Sequence, residues 1–412
     1  MRTITLLRAV LGLKHTRVVS VRLTETALVI AVKPAKRSSF CSTCGGRGPR
    51  YDRRPWSWRH LDAFGVTTEL EYETWRVDCP RCGVKTEMVP WADAGSGFTQ
   101  AFEDVVAYLA QRTDKTTVST MMRMAWRTVG RIIERVVARL GGGREARLEG
   151  LRNVGIDELS YRRHHEYVSI VTDHDGGRVV WAAPGKDADT AKGFFAELGA
   201  ERAAKIEVVT MDMSKAYIAA VTEAAPQARI VFDRFHVQRL AHDALDKVRR
   251  DQVRELAGTD EASVVKKTRF ALQKNPWNLV QPEHEKLSEV QRSNKPLYRG
   301  YLLKESLADI LDRRQVNVAR TKLTEWIAWA ARSRLAPFQK LARTIKEYME
   351  GILAYVATGL SNGRSEGMNG KVRTITRRSY GLHSAWSLIA LIFLCCSGIV
   401  VPLPFPCPNL AA

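Results

Sequence analysis

Acidic residues are scarce in this chain: 44 Asp and Glu stand against 64 Lys and Arg in 412 residues, a formal net charge of +20. Such an imbalance favours a polyanionic partner. Nucleic acid is the first candidate; an anionic membrane surface and a merely basic cytosolic protein are the alternatives. Long apolar runs are also missing. The most apolar stretch, 388–401 (LIALIFLCCSGIVV), falls short of the roughly 20 residues that a membrane-spanning helix needs, so no membrane partner is expected and the stretch is read as a buried core helix. Residues 1–10 contain Arg2 and Arg8 and no continuous apolar core before a small-residue cleavage site, so no secretory signal is expected. The seven cysteines form no disulfide ladder, which excludes a disulfide-stapled scaffold and fits a reducing cytosol.

A hydrophobic content of 45% is ample for real cores, and the length suggests about two to four domains. Residues 1–150 hold 25 of the Lys and Arg but only 15 of the acids, so half of the excess sits in little over a third of the chain. The front end is therefore where a grip on a polyanion is expected. Apolar residues nearly alternate over 17–32, predicting a small hairpin. Cys41-Ser42-Thr43-Cys44-Gly45-Gly46 follows and, after a gap of 34 residues, Cys79-Pro80-Arg81-Cys82-Gly83. Two CxxC turns with glycine just beyond are knuckles that wrap one tetrahedral zinc; a redox pair and isolated core cysteines are the rival readings. Val66, Leu70, Tyr72 and Trp75, at near-alternate spacing between the knuckles, favour a zinc ribbon with intervening strands. One zinc on Cys41, Cys44, Cys79 and Cys82 would be structural, because four thiolates close its coordination sphere.

Ala94-Gly95-Ser96-Gly97 has the composition of a linker, and three helical pieces follow at 102–111, 116–123 and 127–140. A short helix, the turn Met124-Ala125-Trp126 and a longer helix make a helix-turn-helix. In the last helix Arg127, Arg131, Arg135 and Arg139 recur every four residues opposite Ile132, Ile133, Val136, Val137 and Leu140. Such a stripe suits phosphates or a major groove; a solvated face is the alternative. Gly141-Gly142-Gly143 then ends the helix.

The centre of the chain is 153–180. Val154 and Ile156 lead to Asp157-Glu158; Tyr167, Val168, Ile170 and Val171 form a second run; Asp173-His174-Asp175-Gly176-Gly177 is a turn, and Val179, Val180 and Trp181 form a third run. Asp173 and Asp175 are read as turn residues. A helix at 190–199, a strand at 206–211 ending at Asp212, a helix at 214–224 and a strand at 229–232 ending at Asp233 complete a mixed sheet, in which Asp157 and Asp212 lie on neighbouring strands. Asp212 could equally cap the next helix, and Glu158 faces away from Asp157 if the strand is regular. The 153 residues between Asp212 and Glu366 are mostly helical and predict a helical insertion, with Trp277, Trp326 and Trp329 read as core. Glu366 opens a further helix, with Asn369, Gly370 and Arg373 on its face. Lys371 and Arg373 are candidate phosphate contacts beside it.

The blocks Gly155-Ile156-Asp157-Glu158, Met211-Asp212-Met213-Ser214-Lys215-Ala216-Tyr217, Val231-Phe232-Asp233-Arg234-Phe235-His236-Val237 and Ser361-Asn362-Gly363-Arg364-Ser365-Glu366-Gly367-Met368-Asn369-Gly370-Lys371, in this order, resemble the DDE transposases of bacterial insertion sequences, and among them the ISL-three group. The resemblance runs from Leu11 to about Leu394. It implies an α/β chain: a ribonuclease-H-like mixed-sheet catalytic domain (150–240 and 354–401) with a helical insertion (241–353), preceded by a zinc-binding module (1–93) and a helix-turn-helix domain (94–143), with a Pro-rich tail (402–412). It further implies Asp157, Asp212 and Glu366 as ligands of two Mg2+ (or Mn2+) ions, with Asp233, His236 and Asn369 as supporting residues. Two divalent cations on carboxylates activate the attacking oxygen and stabilise the leaving one in phosphodiester cleavage. The expected activity is binding of double-stranded DNA at an element's terminal inverted repeats, strand cleavage, and joining to target DNA. The expected setting is a homodimer or larger assembly on DNA in a bacterial cytoplasm, at the nucleoid. A catalytically inactive DNA-binding regulator and a nuclease that cuts without joining are the alternatives.

Overall fold

The computed structural model describes residues 11–36, 39–63, 65–162, 166–360, 363–379 and 384–404, with the backbone alone for 363–366. The chain divides into two compact units, Met1–Arg144 with Ile375–Ala412, and Glu145–Thr374.

In the first unit, β1 (Thr16–Leu23) and β2 (Ala27–Pro34) form the hairpin that the alternating pattern predicts. The strands β3 (Arg50–Ala63) and β4 (Val66–Cys79) pair antiparallel, β2 runs parallel to β4, and β5 (Gly83–Thr86) adds to the far end of β4. Ile30, Val32, Trp58, Leu70 and Trp91 fill the core beneath this sheet, with the rings of Trp58 and Tyr72 edge-on to Trp91 at 5.5 and 5.7 Å. Residues 94–97 are not a loose linker. Ser96 is buried and donates to Glu103 Oε1 (2.7 Å), and Gly97 O accepts from the Arg59 amide (2.9 Å), so this stretch ties sheet to helices.

Three helices follow: Gln100–Ala110, Lys115–Met121 and Trp126–Leu140. Thr99 caps the first through the Phe102 amide, and Asp114 caps the second through the Thr116 and Thr117 amides. The helix Ala385–Cys396 packs within this unit. Leu388, Ile389, Leu391, Ile392 and Leu394 are buried as expected, whereas Trp386 and, beyond the helix, Val400 are exposed; the helix packs on Trp126–Leu140. An apolar helix requires an apolar face, and its own sequence does not specify which one. Of the tail, 405–412 lies outside the described residues.

The second unit is built on a five-stranded mixed sheet whose strands lie in the order Arg229–Phe232, Val208–Met211, Asn153–Arg162, Glu166–Asp173, Arg178–Pro184. The strands β6 (Asn153–Arg162), β7 (Glu166–Asp173) and β8 (Arg178–Pro184) form the expected antiparallel meander. Asp173 accepts from the Asp175 and Gly176 amides (both 3.0 Å) and so builds the turn. β9 (Val208–Met211) runs parallel to β6, and β10 (Arg229–Phe232) runs parallel to β9. The helices Ala188–Leu198 and Lys215–Ala224 make the crossovers and pack on each other.

From Asp233 onward the unit is helical up to the helix Met349–Thr358. The first helix, Arg234–Glu255, starts where β10 ends and runs unbroken past residue 241, so the expected boundary there is not a break in the backbone. Trp326 is core as expected, 1% exposed with its indole N–H donating to Leu303 O (2.8 Å). Trp277 is not. It is 75% exposed on the single turn Pro276–Asn278, which presents no continuous face to bury, and Trp329 is 36% exposed.

Candidate active site and zinc centre

The parallel register brings the acids together. Gly155 pairs with Thr210, so two residues further along Asp157 and Asp212 stand side by side as β6 and β9 part. Phe232 pairs with Met211, so Asp233 comes next in the same row. The carboxyl ends of adjacent parallel strands are where open α/β sheets place their sites.

Asp157 Oδ1 accepts from the Glu158 amide (2.7 Å), and Oδ2 accepts from Asn369 Nδ2. Asn369 lies in the helix Gly363–Arg378, 212 residues along the chain, and is buried. Burial, then the Asp212 carboxylate, push the Asp157 carboxyl up; the Glu158 amide, His236 and Asn369 pull against them. His236 Nε2 is 3.3 Å from Asp212 Oδ2, and Nδ1 is 3.1 Å from Asp233 Oδ2. Asp233 is itself 3% exposed and caps its helix through the Phe235 amide (3.3 Å). Its hydrogen bond raises His236, and Asp212 and Asp157 add to the effect. Asp233, His236 and Asn369 are thus gathered around the two aspartates.

Asp212 does not cap the following helix; Ser214 occupies that position. Instead Asp212 Oδ1 is buried with no hydrogen-bond partner among the described residues, as is Asn369 Oδ1. Acceptor-only oxygens left bare beside a second carboxylate are costly unless a cation meets them, so this donor set fits a hard divalent metal. Glu158 lies close as well: burial, then Asp212 and Asp157, raise its carboxyl, and it accepts from Tyr217, whose hydroxyl is also 2.9 Å from Ser169 Oγ. A pattern of alternation alone did not single out this fourth acid. The backbone of Glu366 lies in the helix Gly363–Arg378, one turn before Asn369; its side chain is outside the described residues. Lys371 and Arg373 are exposed on that helix.

The Sγ atoms of Cys41, Cys44, Cys79 and Cys82 all lie within 4.8 Å of one another, with Cys44 and Cys79 3.5 Å apart. Tetrahedral zinc with Zn–S near 2.3 Å needs sulfurs roughly 3.8 Å apart, so the set fits. Gly45 and Gly83 adopt φ of +65° and +68°, the left-handed conformation that closes each knuckle. Burial raises the Cys41 thiol, but the Cys44 and Thr43 amides and the neighbouring sulfurs outweigh it and bring it down to about 6. Cys82, beside the Cys44 sulfur, is pushed up to about 12.

The arginine stripe divides. Arg127 and Arg131 are exposed, as a phosphate contact requires. Arg135 is a correction to the expected contacts: it donates to Glu103 (2.6 Å), which is fully buried, and Arg139 pairs with Asp93 (2.8 Å) and Asp104 (2.6 Å). A period of four shows which arginines share a face but not which acids wait opposite.

A family profile described as "Transposase", of the ISL3 DDE type, matches residues 154–392. A "Helix-turn-helix domain of transposase family ISL3" matches 87–137, and a "zinc-finger of transposase IS204/IS1001/IS1096/IS1165" matches 37–82. The chain belongs to the ISL3 family of DDE transposases. Two strains of Mycobacterium tuberculosis carry a transposase for insertion sequence element IS1557 that is 41% identical over 438 residues, covering 98% of both chains. The transposase for IS1001 of Bordetella parapertussis is 29% identical over 359 residues, 86% of this chain and 88% of that one. This ISL3 chain is therefore a DDE-type, DNA-binding transposase with a ribonuclease-H-like sheet, a structural zinc ribbon and a helix-turn-helix, and the family implies divalent-metal chemistry. Among its described residues no helix is long and apolar enough to cross a membrane.

Proposed function

We propose that Asp157, Asp212 and Glu366 hold two Mg2+ ions (Mn2+ being the substitute), and that the chain cuts DNA at the terminal inverted repeats of its element and joins the freed 3′ hydroxyl to target DNA. The unpartnered, buried Asp212 Oδ1 beside Asp157 carries this reading. The metals, when bound, supply a more acidic attacking oxygen and a stabilised leaving oxygen at one phosphorus. The chain's own residues do the positioning. Asn369 donates to Asp157 Oδ2 and leaves Oδ1 to the Glu158 amide, so the carboxylate is fixed in one orientation. His236, held from behind by Asp233, reaches Asp212 Oδ2 and leaves Oδ1 for the cation.

Duplex binding is assigned to Arg127 and Arg131 and, beside the acids, to Lys371 and Arg373, all of them exposed. Cutting both ends of one element calls for at least a homodimer on DNA, and work on chromosomal DNA calls for a cytoplasmic protein at the nucleoid. The test uses purified chain, Mg2+ or Mn2+, a labelled duplex carrying the element's end, and a supercoiled target. Joined product is expected from the wild type. Asp157→Asn should lose cleavage at least about a thousandfold while binding the end normally. A variant that still cuts would remove Asp157 from the site; binding without cutting by the wild type would indicate the regulator instead.

A further inference from the structure

The helical region of the second unit presents an unexpected surface. Phe270 is 70% exposed and Trp277 is 75% exposed, only seven residues apart in the chain. Single exposed apolar side chains are ordinary. Here, though, the rings stand on backbone that is firmly held. The fully surrounded Lys304 (3% exposed) donates to Leu272 O (3.0 Å) and Lys274 O (3.2 Å). Lys274 Nζ reaches both oxygens of Glu283 (2.6 and 2.7 Å), and Glu283 also accepts from the Val280 amide (3.1 Å). Thr268, Ala271 and Leu272, next to Phe270 in the chain, are buried, and the Asn278 amide closes the turn that carries Trp277 on Asn275 O (2.9 Å). Rings held out in water by an ordered turn are poised for a flat, apolar ligand.

The charge around them gives its sign. Lys266, Lys267 and Arg269 are exposed beside Phe270. Arg269 has only a 3.8 Å approach to Asp246, a carboxylate already bound by Arg249 (2.8 Å) and Arg250 (3.1 Å). Lys266 and Lys267 make no ion pair among the described residues, although Asp260 and Glu261 open their helix. Aromatic faces flanked by cations suit nucleic acid whose bases are unstacked, because a paired duplex hides the faces of its bases.

We propose that residues 266–277 form a stacking platform for unpaired bases of DNA, with Trp277 and Phe270 as the faces and Lys266, Lys267 and Arg269 on the flanking phosphates. The proposal rests on the DNA-cutting reading above and deepens it: the substrate held here is frayed or single-stranded DNA, such as strand cleavage leaves.

The full chain is titrated, without added divalent metal, against two fluorescent duplexes of one length, one fully paired and one with a central run of mismatches. The wild type should bind the mismatched duplex more tightly. Trp277→Ala should weaken that binding by about 5- to 150-fold, the ~1–3 kcal/mol of one stacked base at 1.4 kcal/mol per decade, and leave the paired duplex unchanged. Trp277→Phe should retain most of the affinity, and Phe270→Ala should lose affinity in the same direction. Thermal unfolding checks that the variants remain folded, as exposed positions should. Equal binding of the mismatched duplex by wild type and Trp277→Ala overturns the platform while leaving duplex binding intact. An oligomeric state altered by Trp277→Ala, with mismatch preference retained, overturns it in favour of a contact between copies. A wild type that binds neither duplex overturns the DNA-cutting reading and the platform with it.

Discussion

His60 lies 2% exposed on β3, with Nδ1 2.9 Å from Thr99 Oγ1. Burial disfavours its charged form and brings its pKa from the ordinary 6.5 down to about 4. Between those values the unfolded chain takes up a proton that the folded chain refuses, so stability falls as pH drops, by about 3 kcal/mol once pH 4 is passed. Replacing His60 with Gln, which cannot charge, should flatten this loss relative to the wild type in urea unfolding between pH 7 and 4. The zinc thiolates also take up protons on acidification, but they do so in both chains and cancel in the comparison. A constant gap between the two curves would contradict the assigned burial effect. At this scale the sequence was legible where chemistry dictates place. Asp157 stands just past the last paired residues of β6 and β9, Asp212 follows the end of β9, and Cys41, Cys44, Cys79 and Cys82 sit on glycine-closed turns. It was opaque for Trp277, because residue type reports a preference for burial and not whether a face is on hand to satisfy it.

The helix Trp126–Leu140 shows the same division along a single element. Its apolar face, with Val129, Ile132, Ile133, Val136 and Val137 buried, follows directly from the period of 3.6. Its arginines share one stripe in sequence and two fates in the structure, because Glu103 and Asp104 come from a helix more than 20 residues earlier and meet only its second half. Opposite outcomes are expected when the stripe is cut. Arg135→Ala leaves the fully buried Glu103 without its cation and should cost about 3–5 kcal/mol in chemical denaturation. Arg131→Ala should change stability by no more than about 0.5 kcal/mol, while lowering the salt slope of duplex binding by about one. Equal stability losses would mean that the Arg135 pair is solvated after all.

Over the whole chain the 64 Lys and Arg are an upper bound on the cations that DNA meets, since many of them are paired internally with acids. Arg139 is shared by Asp93 and Asp104, Arg76 donates to Asp52 at 2.5 Å, and Arg320 holds Glu350 with two bonds of 2.6 and 2.8 Å. Neutralised pairs release no counterions from a duplex; only exposed, unmatched cations such as Arg127, Arg131, Lys371 and Arg373 do. Sequence gave the sign and rough size of the surplus but not this sorting, which depends on which acids the two units fold against which bases. Each phosphate neutralised contributes about −0.9 to the slope of log affinity against log salt. If these four cations, on the helix-turn-helix and beside the acids, engage one duplex together, about four phosphates are met. Duplex binding, followed by anisotropy between about 50 and 200 mM salt, should then show a slope of about −3.6 or steeper and lose roughly a hundredfold or more in affinity. A slope near −1 would mean that the exposed cations do not act on one duplex, and the basic surplus would have to be explained by solubility alone.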